Sequence, residues 1–93
     1  MSAYRIRISK LADEQIAAIK KSGEKSALKK LQKIVDELAK HPFEGSGNPE
    51  RLKYELSGMW SRRVTQKDRV IYQVDEEIYI VSILSVVGHY SDR

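Results

Sequence analysis

Cysteine is absent from this 93-residue chain. Disulfides and thiolate metal sites are thereby excluded, and the chain suits a reducing cytoplasm, where we expect it to act. No stretch approaches the roughly 20 apolar residues that span a bilayer, so no membrane partner is expected. Residues 1–10 hold no long apolar run, and no secretory signal is read there. The two histidines, His41 and His89, stand far apart and in no ligand spacing, so no metal and no other cofactor is expected. No serine lies in a nucleophile-elbow pattern, and no glycine motif would cradle a phosphate. Low-complexity linkers and internal repeats are also missing. The length suits one small domain, residues 1–93.

What is abundant is charge. Lysine and arginine exceed aspartate and glutamate by 17 to 13, which gives +4 and an isoelectric point near 9.4. Such a balance favours RNA, DNA or an acidic protein as partner. Its placement is more telling. Between positions 51 and 69 lie Arg51, Lys53, Arg62, Arg63, Lys67 and Arg69, against only Glu55 and Asp68. On strands, alternate residues share a face, so arginines of neighbouring strands can converge.

The hydrophobic pattern gives an order of elements. Residues 4–8 alternate, with Tyr4, Ile6 and Ile8 on one side and Arg5 and Arg7 on the other, as in a half-buried strand. Ser9 is an N-cap candidate, followed by Ala12, Ile16 and Ile19 at helical spacing, with Gly23 as terminator. Leu28, Leu31, Ile34, Val35 and Leu38 form the apolar stripe of a second helix over about 24–40. Pro42 blocks its extension, and the prolines and glycines of 42–49 mark a shaped loop. Beyond it Leu52, Tyr54 and Leu56 alternate, then 60–65, then Val70, Tyr72 and Val74; the apolar, β-branched run 78–87 reads as a central strand. Tight turns between these segments imply antiparallel neighbours. The expected fold class is therefore α+β: a two-layer domain, β-α-α-β-β-β-β, with two helices packed on an antiparallel sheet of four to five strands.

Several ordered blocks in the second half carry a resemblance: PFEGSGNPE at 42–50, Leu52-Lys53, LSGMWSRR at 56–63, RVIY at 69–72, and His89-Tyr90. Together they resemble the Txe/YoeB toxins, within the RelE-like group. The resemblance implies a RelE-like fold and a ribosome-dependent endoribonuclease that cuts messenger RNA in the ribosomal A site. It implies Glu50 as general base, His89 as general acid, Arg69 and Arg63 as the cations that hold the reacting phosphate, Lys53 as an auxiliary cation, and Tyr90 as a positioning or stacking residue. As partners it implies messenger RNA, the ribosome, a cognate antitoxin of YefM/Axe type and a homodimer. Two departures stand out: Ser91, Asp92 and Arg93 follow the tyrosine, and residues 1–8 look less like the family than the later blocks.

The chemistry of these residue types agrees with that reading. RNA is cut without a metal when its own 2′-hydroxyl attacks the adjacent phosphorus, with a base at the 2′-oxygen and an acid at the departing 5′-oxygen. Carboxylates and imidazoles suit these roles near neutrality, and guanidinium groups stabilise the charge gathered on phosphorus. Unstacked bases can lie on an aromatic ring. The reverse assignment, His89 as base and Glu50 as acid, stays open.

Taken singly, the same residues admit plainer roles. Glu50 reads as a solvated loop carboxylate, His89 as a frayed surface residue, and Arg69 as a partner of Asp68 or Glu55. Adjacent Arg62 and Arg63 face opposite sides of a strand, so Arg62 is expected to turn away from the site as surface charge or in a salt bridge. Trp60, Tyr72 and Tyr79 read as packing, and His41 and Glu44 as surface. Met59 and Trp60 also suit antitoxin binding or self-association. Two other classes of function compete: a non-catalytic toxin resembling ParE proteins, which bind a topoisomerase, and a plain nucleic-acid-binding module. Neither needs an acid–base pair.

Overall fold

A computed structural model describes residues 3–87. The elements run β1 (Arg5–Ile8), α1 (Lys10–Ser22), α2 (Lys25–Leu38), β2 (Glu50–Arg51), a single 3-10 turn (Tyr54–Leu56), β3 (Trp60–Arg63), β4 (Arg69–Asp75) and β5 (Ile80–Val87). Both helices precede the main run of strands, so the expected β-α-α-β-β-β-β order is borne out. Among the described residues no helix is long and apolar enough to cross a membrane.

Local chemistry sets the helix ends. Ser9 Oγ accepts from the Ala12 amide at 3.0 Å and donates to the Leu84 carbonyl at 2.8 Å. One side chain thus caps α1 and ties its start to β5. Gly23 ends α1 at φ 78°, a left-handed conformation that other residues adopt only with strain. Near the far end of α1's partner strand, Gln15 Oε1 accepts from the Val86 amide at 2.6 Å.

The sheet order is β1-β5-β4-β3-β2. Strands β2 to β5 pair antiparallel, as their short connections require, whereas β1 runs parallel to β5. The sheet is therefore mixed, not wholly antiparallel. The reason is topological: no hairpin joins β1 to β5, and the chain between them passes through both helices and three strands, which leaves the direction of β1 free. A second correction concerns residues 52–56. Their apolar alternation suggested a strand, but the strand stops at Arg51, and the Lys53 carbonyl accepts from the Leu56 amide at 3.1 Å in a helical turn.

One face of the sheet is covered by the helices. Val70, Tyr72, Val81, Ile83 and Val86 pack against Ala12, Ala27, Leu31, Ile34 and Leu38. At about 25 cal/mol per Å² of apolar surface, each fully buried Leu or Ile in this layer contributes roughly 1.5–3 kcal/mol. The register then assigns the other face. Glu50 opposes Ser61, Ser61 opposes Ile71, and Ile71 opposes Ser85; in the adjacent row Arg63 opposes Arg69. Directly paired residues share a face, so all of these point away from the helices.

Candidate active site

The face turned from the helices gathers charged groups from three strands. Glu50 comes from β2, Arg63 from β3 and Arg69 from β4. Glu50 Oε1 stands 3.7 Å from Arg69 Nη1, reaching over the intervening strand, with the two side chains 58% and 27% exposed. Asp68 is engaged elsewhere, accepting from Thr65 Oγ1 at 3.2 Å in the β3–β4 turn. Arg63 is exposed beside Arg69. Two guanidinium groups and a carboxylate thus meet on one surface, which suits a phosphodiester: the cations attract it, and the carboxylate can take a proton from a hydroxyl next to it. Lys53 is exposed and precedes the 3-10 turn, not on a strand with the others. His89 and Tyr90 lie outside the described residues.

The loop that delivers Glu50 is held from beneath by Arg62. Its side chain is fully buried on the helix side, not at the surface, although it does form a salt bridge. Arg62 Nη1 donates to Glu37 Oε1 at 2.9 Å, and Nη2 donates to the carbonyls of His41 at 2.5 Å and Glu44 at 2.7 Å. Its Nε donates to Tyr72 Oη at 3.2 Å, and Tyr72 Oη donates to the Pro42 carbonyl at 2.7 Å. Glu37 completes the clamp by accepting from the Ser46 amide at 2.7 Å and hydroxyl at 2.8 Å. Burial works to raise the Glu37 pKa, but the hydrogen bonds from Ser46 and the positive charge of Arg62 and Lys33 outweigh it and hold the carboxyl below its usual value. Burial pushes the Tyr72 hydroxyl up, partly offset by Arg62.

Glycine makes this clamp possible. Gly47 takes φ 82°, and a Cβ there would lie 2.7 Å from the Arg63 carbonyl oxygen. Its own carbonyl accepts from the Arg63 amide at 2.6 Å, so the loop pairs with β3 one step before β2 begins. Trp60 and Phe43 pack at 5.1 Å between ring centroids, with the Arg51 guanidinium 5.5 Å from the Trp60 ring. Tyr72 is buried in the core, whereas Tyr79 is exposed and packs edge-on against Tyr4. His41 and Glu44 are exposed, 4.0 Å apart.

Three residues escaped the reading of the sequence. Glu37 and Ser46 form the clamp, and Ser61 lies fully buried between Glu50 and Ile71 with its hydroxyl unpaired among the described residues. A signal for Glu37 existed: a carboxylate in the last turn of α2 opposes the helix dipole and needs an external partner. Nothing in the local sequence singles out Ser61.

Comparison with known proteins fits this arrangement. The family model for the YoeB-like toxin of bacterial type II toxin–antitoxin systems matches residues 11–90. Toxin YoeB of Escherichia coli strain CFT073 is 41% identical over 59 residues, 63% of this chain and 70% of that toxin. Toxin YoeB of Synechocystis is 40% identical over 60 residues, 63% of this chain and 70% of that toxin. Among solved structures, a YoeB dimer from Staphylococcus aureus superposes with TM-score 0.80 at 30% identity, covering 96% of this chain and 100% of that one. A heterotetrameric YoeB–YefM toxin–antitoxin complex from the same species gives TM-score 0.78 at 31% identity, covering 94% and 98%. With the match running from α1 past the final strand and across the clamp and the charged face alike, the chain belongs to the YoeB-like toxins of bacterial type II toxin–antitoxin systems.

Proposed function

We propose that this toxin is a ribosome-dependent endoribonuclease that cleaves messenger RNA in the ribosomal A site, without a metal, and so stops translation. The observation that carries the reading is the meeting of Glu50, Arg63 and Arg69, from three strands, on the face free of helices. Glu50 takes the 2′-hydroxyl proton as that oxygen bonds to phosphorus. The bond from phosphorus to the 5′-oxygen breaks, and His89 gives that oxygen its proton. Base and acid therefore flank the phosphate. Arg69 and Arg63 hold the phosphoryl oxygens as charge builds on them, with Lys53 as an added cation and Tyr90 positioning a base.

In this reading residues 1–93 form one toxin domain acting in the cytoplasm. By analogy with the staphylococcal complex and dimer, its partners are an antitoxin of YefM type and a second copy of the chain. The test is single-turnover cleavage of ribosome-bound messenger by His89→Ala. A positioned acid contributes about 10²–10⁴-fold, and cleavage should fall by that factor while RNA binding persists. Wild-type cleavage by the variant would end the mechanism. A translation extract in which the wild-type protein cuts no messenger would instead favour a non-catalytic, ParE-like toxin.

A further inference from the structure

Resting on the assignment of Glu50 as base, we infer that Ser61 is a positioning residue that fixes the Glu50 carboxylate during RNA cleavage. Ser61 on β3 is the register partner of Glu50 on β2. Directly opposed residues hold their Cβ atoms about 4.5–5.5 Å apart, which brings a serine hydroxyl within reach of the facing carboxylate. Ser61 is 0% exposed, and its Oγ is the one buried side-chain nitrogen or oxygen without a hydrogen-bond partner among the described residues. A hydroxyl in that state is a net cost to the fold, since alanine would fill the same space without it. On the opposite side of Ser61, its register partner is the apolar Ile71, which offers no side-chain partner.

The charged pair above supplies the reason for a hydroxyl here. Glu50 and Arg69 approach to 3.7 Å, a distance at which charge attracts without the directional hold of a short hydrogen bond. In the proposed reaction Arg69 turns to the phosphate, and the carboxylate then needs another donor to aim it. The Ser61 hydroxyl donates to one carboxylate oxygen and leaves the other to receive the 2′-hydroxyl proton. Ser61 touches no reacting atom; it acts through Glu50.

Four proteins test this: wild type, Ser61→Ala, Glu50→Gln and the double variant, each assayed for single-turnover cleavage of ribosome-bound messenger and for thermal stability. Ser61→Ala should melt no lower than wild type yet cleave about 10- to 100-fold more slowly, the loss coming in kcat at unchanged KM. In the Glu50→Gln background the serine substitution should cost nothing further, because the two act as one unit. Ser61→Ala cleaving at the wild-type rate beside an impaired Glu50→Gln would overturn the inference alone. Additive losses would also overturn it, since Ser61 would then act independently of Glu50. Wild-type cleavage by Glu50→Gln would remove the base assignment itself, and this inference with it.

Discussion

Replacing Glu37 by alanine removes the counter-charge of a guanidinium with no access to water. Arg62 is 0% exposed, and its Nη1 donates to Glu37 at 2.9 Å. The carbonyls of His41 and Glu44 and the Tyr72 hydroxyl remain as acceptors, but none carries charge. Stripping one partner from a buried ion pair costs about 3–5 kcal/mol. The Ser46 amide and hydroxyl lose their acceptor as well, so the upper part of that range applies. Against a total stability of about 5–15 kcal/mol, this is a large share, and at about 4–8 °C per kcal/mol the melting temperature should fall by at least ~16 °C. Glu37→Gln keeps the shape and an acceptor while losing the charge, so it should fall between the two. A pH series separates charge from packing. The Glu37 pKa is lowered in the folded chain. Its contribution is therefore fully present above the unfolded-state value and is lost as pH falls through the folded value. Urea melts of the wild type should lose stability over that acid range, and those of Glu37→Gln should lose less. A Glu37→Ala loss under about 1 kcal/mol, or identical acid dependence in wild type and Glu37→Gln, would refute the clamp as a source of stability.

Other perturbations follow from the same geometry. Gly47→Ala forces a left-handed φ of 82° on alanine and sets its Cβ 2.7 Å from the Arg63 carbonyl, so equilibrium unfolding should show a loss of about 1–3 kcal/mol. Because that loop enters β2, messenger cleavage should fall with it; an unchanged melt would mean that the loop tolerates a shifted path. Ser9→Ala removes both the cap on the Ala12 amide and the bond to the Leu84 carbonyl, and should cost about 1–2 kcal/mol by chemical denaturation. A wild-type midpoint in that variant would show that neither bond matters to stability.

Much of this architecture was legible because it depends on near neighbours. Ser9 and Gly23 announce the ends of α1, the stripe through Leu31, Ile34 and Leu38 marks the buried side of α2, and the alternation of Val70 and Tyr72 with Arg69 and Ile71 assigns the faces of β4. The same alternation separates Arg62 from Arg63. What could not be read depends on distant residues. The parallel pairing of β1 with β5 joins the two ends of the described chain, which turn chemistry does not govern. The helical turn at residues 54–56 begins with Tyr54 at φ 58°, a conformation that an apolar alternation gives no hint of. Arg62 looked like surface charge because its partners, Glu37 and the loop carbonyls, lie 16 to 25 residues away. At the site, the roles of Glu50 and Arg69 came from resemblance; their 3.7 Å approach comes from strand register, which composition does not contain.

The position of β5 between β1 and β4 sets a condition on synthesis. A chain leaves the ribosome from its N-terminus, yet α1 is fastened by Ser9 and Gln15 to residues 75 and 71 positions later. Until β5 has emerged, β1 has no strand beside it and the first helix has lost both anchors. Hydrophobic residues of α2 can meet β4 earlier, but the layer stays unfinished. Closing loops this long precedes the contacts that reward it, so completion of the sheet waits on the emergence of β5. Arg69 likewise gains its β5 neighbour, Val87, only then. The nascent protein thus lacks its finished charged face until β5, the strand shared by β1 and β4, has emerged.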